Sequence, residues 1–157
     1  MQPTSTPPSS RFHGRFRLKL DDKGRVSLPA FFRRAIPAET PEDHGNLILQ
    51  AGPDGYIQAL PVAEWERRTR ELDAVGAQKG ASKRWRRRAI FGGVVPAPVD
   101  EKGRFKIPRE LLETAGIQRD CLILGVDRAI EIWDPDRFFE LEAQHRADLS
   151  DLEDLLF

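Results

Sequence analysis

A chain of 157 residues, 39% hydrophobic and 32% charged, has material for one or two small domains around a modest core. Its 25 basic residues balance 25 acidic ones, so net charge alone offers nucleic acid no attraction. A single cysteine excludes an internal disulfide and no apolar run approaches the ~18 residues of a membrane span, which together point to a cytoplasmic protein with no membrane partner.

The opening M-Q-P-T-S-T-P-P-S-S lacks the apolar centre of a secretory signal, and residues 1–11 are expected to be a disordered polar arm. From Phe12 to Leu20, F-H-G-R-F-R-L-K-L alternates apolar and polar residues. That period of two predicts a half-buried strand with Arg15, Arg17 and Lys19 pointing outward. D-D-K-G-R follows. Asp21 suits the first position of a type I turn, and Gly24 the left-handed residue after it, a conformation glycine enters without a side-chain clash. V-S-L resumes the alternation, so Phe16 to Leu28 is expected to form a β-hairpin with D-D-K-G-R at its tip. Pro29 fits the first position of a short helix, A-F-F-R-R-A-I, where its missing N–H does no harm. L-I-L (47–49) and Y-I-Q-A-L (56–60) predict two further strands, and P-V-A-E-W-E-R-R-T-R-E-L an amphipathic helix.

The run K-R-W-R-R-R (83–88) reads as a helix with five positive charges and no acid. It suits a solvated basic face anchored by a buried Trp85, or a face that contacts phosphate or pairs with an acidic neighbour, and Trp65, Trp85 and Trp133 read as packing anchors ahead of base-stacking platforms. The chain then repeats itself. L-D-D-K-G-R-V-S-L-P begins at Leu20 and V-D-E-K-G-R-F-K-I-P at Val99, 79 positions later. Asp21 falls on Asp100, Lys23 on Lys102, Gly24 on Gly103, Arg25 on Arg104 and Pro29 on Pro108. Pro108 opens R-E-L-L-E-T-A, and Gly116 stands where a helix C-cap belongs. L-I-L (122–124), A-I-E-I-W (129–133) and D-P-D-R-F-F-E-L-E-A then follow in the order of the first copy, after a longer first-copy connection at P-E-D-H-G-N. Repeats of this size have marginal cores alone, so the two are expected to share one interior. The first repeat spans 12–78, a basic helix and connection 79–98, the second repeat 99–149, and an acidic, leucine-bearing tail 150–157. The closing D-L-S-D-L-E-D-L-L-F suits either a helix covering its own core or one docking on a neighbouring subunit.

Charge is segregated along the chain. Arg11 to Arg34 holds eight basic and two acidic residues, whereas Asp134 to Phe157 holds two basic and eight acidic. Such segregation creates local fields that a total of zero conceals. Enzyme chemistry finds no support: His13, His44 and His145 are scattered without metal-ligand spacing, and no phosphate-loop, dinucleotide or nucleophile-elbow motif occurs. Cys121, within C-L-I-L-G-V, reads as an inert core thiol. No catalytic residue, metal, cofactor or small-molecule substrate is therefore expected. Asp21, Gly24, Asp100 and Gly103 read as turn makers, the aspartates accepting local backbone N–H bonds. Arg25 and Arg104 leave two readings open. Each pairs with the aspartate of its own turn, or, with Lys23 and Lys102, each contacts DNA. Guanidinium grips phosphate or the O6/N7 edge of guanine bidentately, and a two-stranded ribbon fits the major groove.

The duplicated D-[DE]-K-G-R-[VF]-x-[LI]-P, the F-x-G at Phe12 and the segment L-P-V-A-E-W together resemble the MraZ family of bacterial transcriptional regulators, from Phe12 to Leu149. The resemblance implies an α+β, AbrB-like swapped-hairpin β-barrel made of two tandem repeats in one chain, a pseudo-dimer with flanking helices. It implies a homo-oligomeric ring that binds double-stranded DNA at repeated promoter boxes of the division and cell-wall gene cluster, acting as a repressor on the nucleoid. DNA contact falls to the two D-x-x-x-R motifs, here Arg25 and Arg104 with Lys23 and Lys102, and the neighbouring Arg15, Arg17 and Lys19 are grouped with them. His13 stands in the F-x-G triplet where the family usually has a basic or apolar residue, and Phe31 and Phe32 align with Glu110 and Leu111 of the second copy. The two repeats are thus not interchangeable, which leaves open that one reads DNA more than the other. The rival readings are a structural or assembly protein using the charged hairpins for subunit contacts, and an antitoxin-like regulator, a class that usually carries one copy and a separate tail.

Overall fold

The computed structural model describes residues 11–38, 44–75 and 80–157. Residues 1–10 of the expected arm, half of the connection P-E-D-H-G-N and the 78/79 boundary lie outside these residues. Eight strands and six helices are described. The first repeat supplies β1 (Phe12–Lys19), β2 (Arg25–Ser27), α1 (Ala30–Ala35), β3 (Asn46–Ala51), β4 (Ile57–Pro61) and α2 (Val62–Val75). After α3 (Ala81–Phe91), the second supplies β5 (Val95–Pro98), which lies before the start at 99 expected from the sequence, then β6 (Arg104–Lys106), α4 (Arg109–Ala115), β7 (Asp120–Asp127), β8 (Ala129–Trp133) and α5 (Pro135–Gln144), followed by α6 (Arg146–Leu156). The fold is α+β, and its internal order repeats.

Six strands form one antiparallel sheet in the order β1-β7-β8-β4-β3-β5, while β2 and β6 form a separate ribbon. Exchanging the two repeats and reversing the order leaves it unchanged. Within a repeat, β3 pairs with β4 and β7 with β8. Each first strand crosses instead to the other repeat: β1 lies on β7 and β5 on β3. The pairs β4–β8 and β2–β6 close the arrangement between the repeats.

Two expectations need correction here. The hairpin over Phe16–Leu28 does not form as a ladder, because β1 pairs with β7 and β2 with β6. A period of two specifies which face of a strand is buried but not which strand lies beside it. The strands also do not close into a barrel. The sheet ends at β1 and β5, and the three-residue strands β2 and β6 are too short to carry a second ladder to them. A smaller difference concerns Pro29 and Pro108, which stand one residue before α1 and α4 in extended conformation, at the cap and not in the first turn.

The main core lies between one sheet face and the ribbon with its short helices. Phe12, Val26, Phe32, Phe105, Ile123 and Ile132 are buried there, and Phe32 meets Phe12 and Phe16 edge-on at 5.5 and 5.4 Å. Cys121 belongs to this core, and burial pushes its thiol up to about 11. On the other sheet face, Tyr56, Leu122, Leu124 and Trp133 form a smaller cluster under Phe138 and Leu141 of α5. Asp134 caps α5 by accepting from the Arg137 backbone N–H.

Helices α3 and α6 bury no side chain. Trp85, expected as a buried anchor, is 68% exposed, with Arg88 stacked over its ring at 4.9 Å. It is Phe91, one turn and a half further on, that meets Trp65 of α2. No helix among the described residues is long and apolar enough to cross a membrane.

Candidate nucleic-acid interface

Both D-x-K-G-R segments build the same turn. Gly24 N–H donates to the Asp21 carbonyl at 3.1 Å, and Asp21 N–H to the Arg25 carbonyl at 3.0 Å. Gly24 has φ +75° and Gly103 φ +77°, the left-handed conformation that favours glycine. Asp21 Oδ1 accepts from the backbone N–H of Lys23 and Arg25, both at 2.9 Å, and its Oδ2 from Arg25 Nε at 2.6 Å. Asp100 repeats the set with Lys102 at 2.9 Å, Arg104 N–H at 2.8 Å and Arg104 Nε at 2.9 Å. The arginine backbone N–H, then its side chain, holds each aspartate below its ordinary carboxylate value. Each carboxylate thus ties down a loop that would otherwise be slack.

The arginine–aspartate pair exists in both copies, and it is made through Nε. The guanidinium plane is fixed by this bond, with its Nη groups outside it. Each of these arginines keeps 26% of its side chain exposed, and Lys23 and Lys102 are exposed beside them.

The ribbon sets the two turns in relation to each other. Its register pairs Arg25 with Lys106, Val26 with Phe105 and Ser27 with Arg104. Val26 and Phe105 point into the core, so Arg25, Ser27, Arg104 and Lys106 share the outward face. Ile107 N–H donates to the Gly24 carbonyl at 3.0 Å and Leu28 N–H to that of Gly103 at 2.8 Å, seating each turn against the end of the other repeat's strand. The turns therefore stand at opposite ends of a three-pair ribbon about 10 Å long. Lys23, Arg25, Lys102 and Arg104 are brought onto one side of the molecule.

Sequence reading did not single out two further cations. Lys106 lies two residues beyond Arg104 and so on the same ribbon face, a parity that was available from the sequence. Arg33, on α1, reaches the second turn and donates through Nη2 to the Glu101 carbonyl at 3.3 Å. That approach depends on the exchange between repeats and had no sequence signal.

Arg15 and Arg17 are elsewhere. Their register opposite Leu124 and Leu122 sets them on the sheet face covered by α5. Arg15 pairs with Glu142 and lies over the Phe138 ring at 4.9 Å, and Arg17 lies over Phe139 at 5.3 Å. Lys19 is exposed at the end of β1, opposite Asp120. Among the described residues no group of His, Cys, Asp and Glu is arranged to hold a metal ion.

The order of elements recurs in the two halves of the chain, and matched cationic turns stand on one outward ribbon. The chain belongs to the MraZ family. It is 34% identical to the transcriptional regulator MraZ of Acidovorax sp. (strain JS42) over 132 residues, 84% of this chain and 88% of that protein. The MraZ proteins of Symbiobacterium thermophilum and Treponema pallidum subsp. pallidum are each 33% identical, over 81% and 92% of this chain and 86% and 95% of their own. The family model for MraZ protein, described as antitoxin-like, matches residues 90–157. These relatives are named as transcriptional regulators, not as enzymes.

Proposed function

We propose that this protein is a sequence-specific transcriptional regulator that grips double-stranded DNA with the outward face of the β2–β6 ribbon. The observation that carries the reading is the matched presentation of two Lys-Gly-Arg turns at opposite ends of one short ribbon. A two-stranded ribbon enters the major groove, where lysine meets phosphate as a point charge and arginine meets phosphate or guanine as a fork. Because Asp21 and Asp100 are each satisfied within their own turn, neither is left to pair with a neighbouring subunit. This favours DNA over subunit contact as the partner of the ribbon. The exchange of β1 and β5 between repeats supports an AbrB-like swapped-hairpin assignment in which one chain supplies both halves.

The reading extends to a homo-oligomeric ring. Helix α3 carries Lys83, Arg84, Arg86, Arg87 and Arg88 around an exposed Trp85, while α6 carries Asp148, Asp151, Glu153 and Asp154 around exposed Leu149, Leu152, Leu155 and Leu156. Opposite charges beside uncovered apolar side chains suit head-to-tail docking of copies, a contact that closes into a ring when its rotation permits. A ring on repeated promoter boxes makes later contacts intramolecular and adds roughly 10²- to 10⁴-fold in avidity. On the strength of the family resemblance, the target is the division and cell-wall gene cluster, the outcome repression, and the location the cytoplasm, on the nucleoid.

Fluorescence anisotropy with the upstream DNA of the protein's own gene and a scrambled duplex, at two salt concentrations, tests the ribbon. Arg25→Ala and Arg104→Ala are expected to weaken promoter binding at unchanged oligomer size. Equal binding by wild type and both variants rejects the ribbon as the contact. Light scattering tests the ring: variants disabled in α3 alone and in α6 alone should each be monomeric, and their mixture should stop at dimers.

A further inference from the structure

We infer that Arg33 is a specificity-determining residue, which makes the second-repeat end of the ribbon the part that discriminates DNA sequence and leaves the first-repeat end as a general phosphate anchor. The inference rests on the DNA-binding reading above and goes beyond it by dividing the labour between two turns that are nearly identical in sequence.

The repeats are related closely enough for their differences to be located. Sliding Gly24 onto Gly103 places Arg33 on Leu112 and Ser27 on Lys106. Because the strands exchange, each of these residues serves the other repeat's turn. Arg33 of α1 lies against the second turn, where a Cβ on Gly103 would stand 2.3 Å from Arg33 Nε and 2.5 Å from its Cδ. Leu112 of α4 occupies the equivalent place at the first turn, its Cδ1 3.9 Å from a Cβ on Gly24. Lys106 stands opposite Arg25, near the first turn, and Ser27 opposite Arg104, near the second.

Each end of the ribbon therefore holds three cations, but of different kinds. The first end has Lys23, Arg25 and Lys106. The second has Lys102, Arg104 and Arg33. Lys106 is an exposed ammonium on a flexible stem, suited to phosphate whatever the base sequence. Arg33 is part-buried, packed over Gly103 and held by the Glu101 carbonyl. Its bond is to a carbonyl, and no carboxylate among the described residues pairs with it. A planar fork with a fixed base loses little side-chain freedom on forming a bidentate contact, and bidentate arginine contacts to guanine are among those that distinguish base pairs. The second turn thus presents two oriented guanidinium groups, Arg104 and Arg33, where the first presents one.

The test is competition anisotropy on full-length protein, with the promoter duplex and a scrambled duplex of equal length over a series of salt concentrations. Three variants are compared: Arg33→Leu and Lys106→Ser, which install the residue of the other repeat, and Arg33→Lys, which keeps the charge and removes the fork. Arg33→Leu is expected to lose about tenfold on the promoter and at least about threefold less on scrambled DNA. Arg33→Lys should recover scrambled binding without recovering the promoter preference. Lys106→Ser should weaken both duplexes equally and lower the salt slope by about 0.9. Equal losses on the two duplexes for Arg33→Leu, no loss at all, or full rescue by Arg33→Lys overturns the inference. Thermal melts guard against misfolding of Arg33→Leu, and the Arg33→Lys result stands independently if that variant fails to fold. A wild type without promoter preference, or Arg25→Ala and Arg104→Ala variants that bind normally, sinks the parent reading as well. Loss in those two variants with no effect at Arg33 sinks this one alone.

Discussion

Arg15 and Arg25 belong to the same basic segment, yet one lies on the sheet and the other on the ribbon, and they are put to different uses. On the α5 face, Arg15 is drawn to Glu142 and lies over Phe138, and Arg17 lies over Phe139, so these cations stitch a helix to the sheet. On the ribbon face, the counter-charge of Arg25 is Asp21, four residues back in its own turn, and the pair faces outward as a unit. What separates Arg15 from Arg25 is where the neutralising carboxylate resides. A partner on another element turns an arginine into packing, whereas one inside the same turn orients it and leaves it on display.

The largest expected effect comes from removing the displayed set. An Arg25→Ala/Arg104→Ala double variant should lose about 100-fold or more in promoter affinity, at one to three kcal/mol per contact, while Arg15→Ala/Arg17→Ala stays within about threefold of wild type. An anisotropy titration in which the two double variants weaken alike erases the distinction between the faces.

Next in size is the turn backbone. Gly24→Ala forces a left-handed alanine and should cost about 1–2 kcal/mol in urea unfolding. Gly103→Ala should cost more, because its Cβ also displaces Arg33, whereas the nearest atom to a Cβ on Gly24 is the Ile107 carbonyl oxygen at an ordinary 3.5 Å. Equal midpoints for the two variants would mean that Arg33 moves aside freely. On the other face, Arg15→Ala should cost about 1 kcal/mol, the sum of a half-exposed ion pair and a cation–π contact, with DNA affinity unchanged.

The smallest effect is one of pH. The folded values of Asp21 and Asp100 lie below the ordinary 3.8, so their contribution to stability is complete above that value and is lost as pH falls through the lowered folded values. Wild type should therefore lose more stability than Asp21→Asn/Asp100→Asn as pH falls below about 4. Parallel acid titrations of the two proteins by circular dichroism read this difference, and coincident curves count against ionised turn aspartates.

The two turns of the candidate site were legible in advance because they are local. Asp accepting from the next N–H groups, Gly in the left-handed region and Arg returning to the Asp are all settled within five residues, and both turns have the geometry their sequence predicts. The placement of Lys106 was also accessible, through strand parity. Arg33 was not. It lies 70 positions before Gly103, and only the exchange of strands carries α1 to that turn. Trp85 misled for a related reason: its size argues for burial, but α3 is held through Phe91 against Trp65, leaving Trp85 on the open side.

The sequence by itself determined the duplication, the two turns, which side of β1 is apolar, and the C-cap at Gly116, which adopts the left-handed conformation expected of it. Each follows from spacing and residue type over a few positions. Only the tertiary structure decided which strand lies beside which, and with that which arginines meet the acidic helix and which remain on the ribbon. An alternating strand satisfies its backbone equally well against any neighbour with a free edge and a matching face. In the observed arrangement Phe32 of α1 packs edge-on against the buried Phe12 and the half-buried Phe16 of β1, a contact between elements that no single stretch of sequence contains.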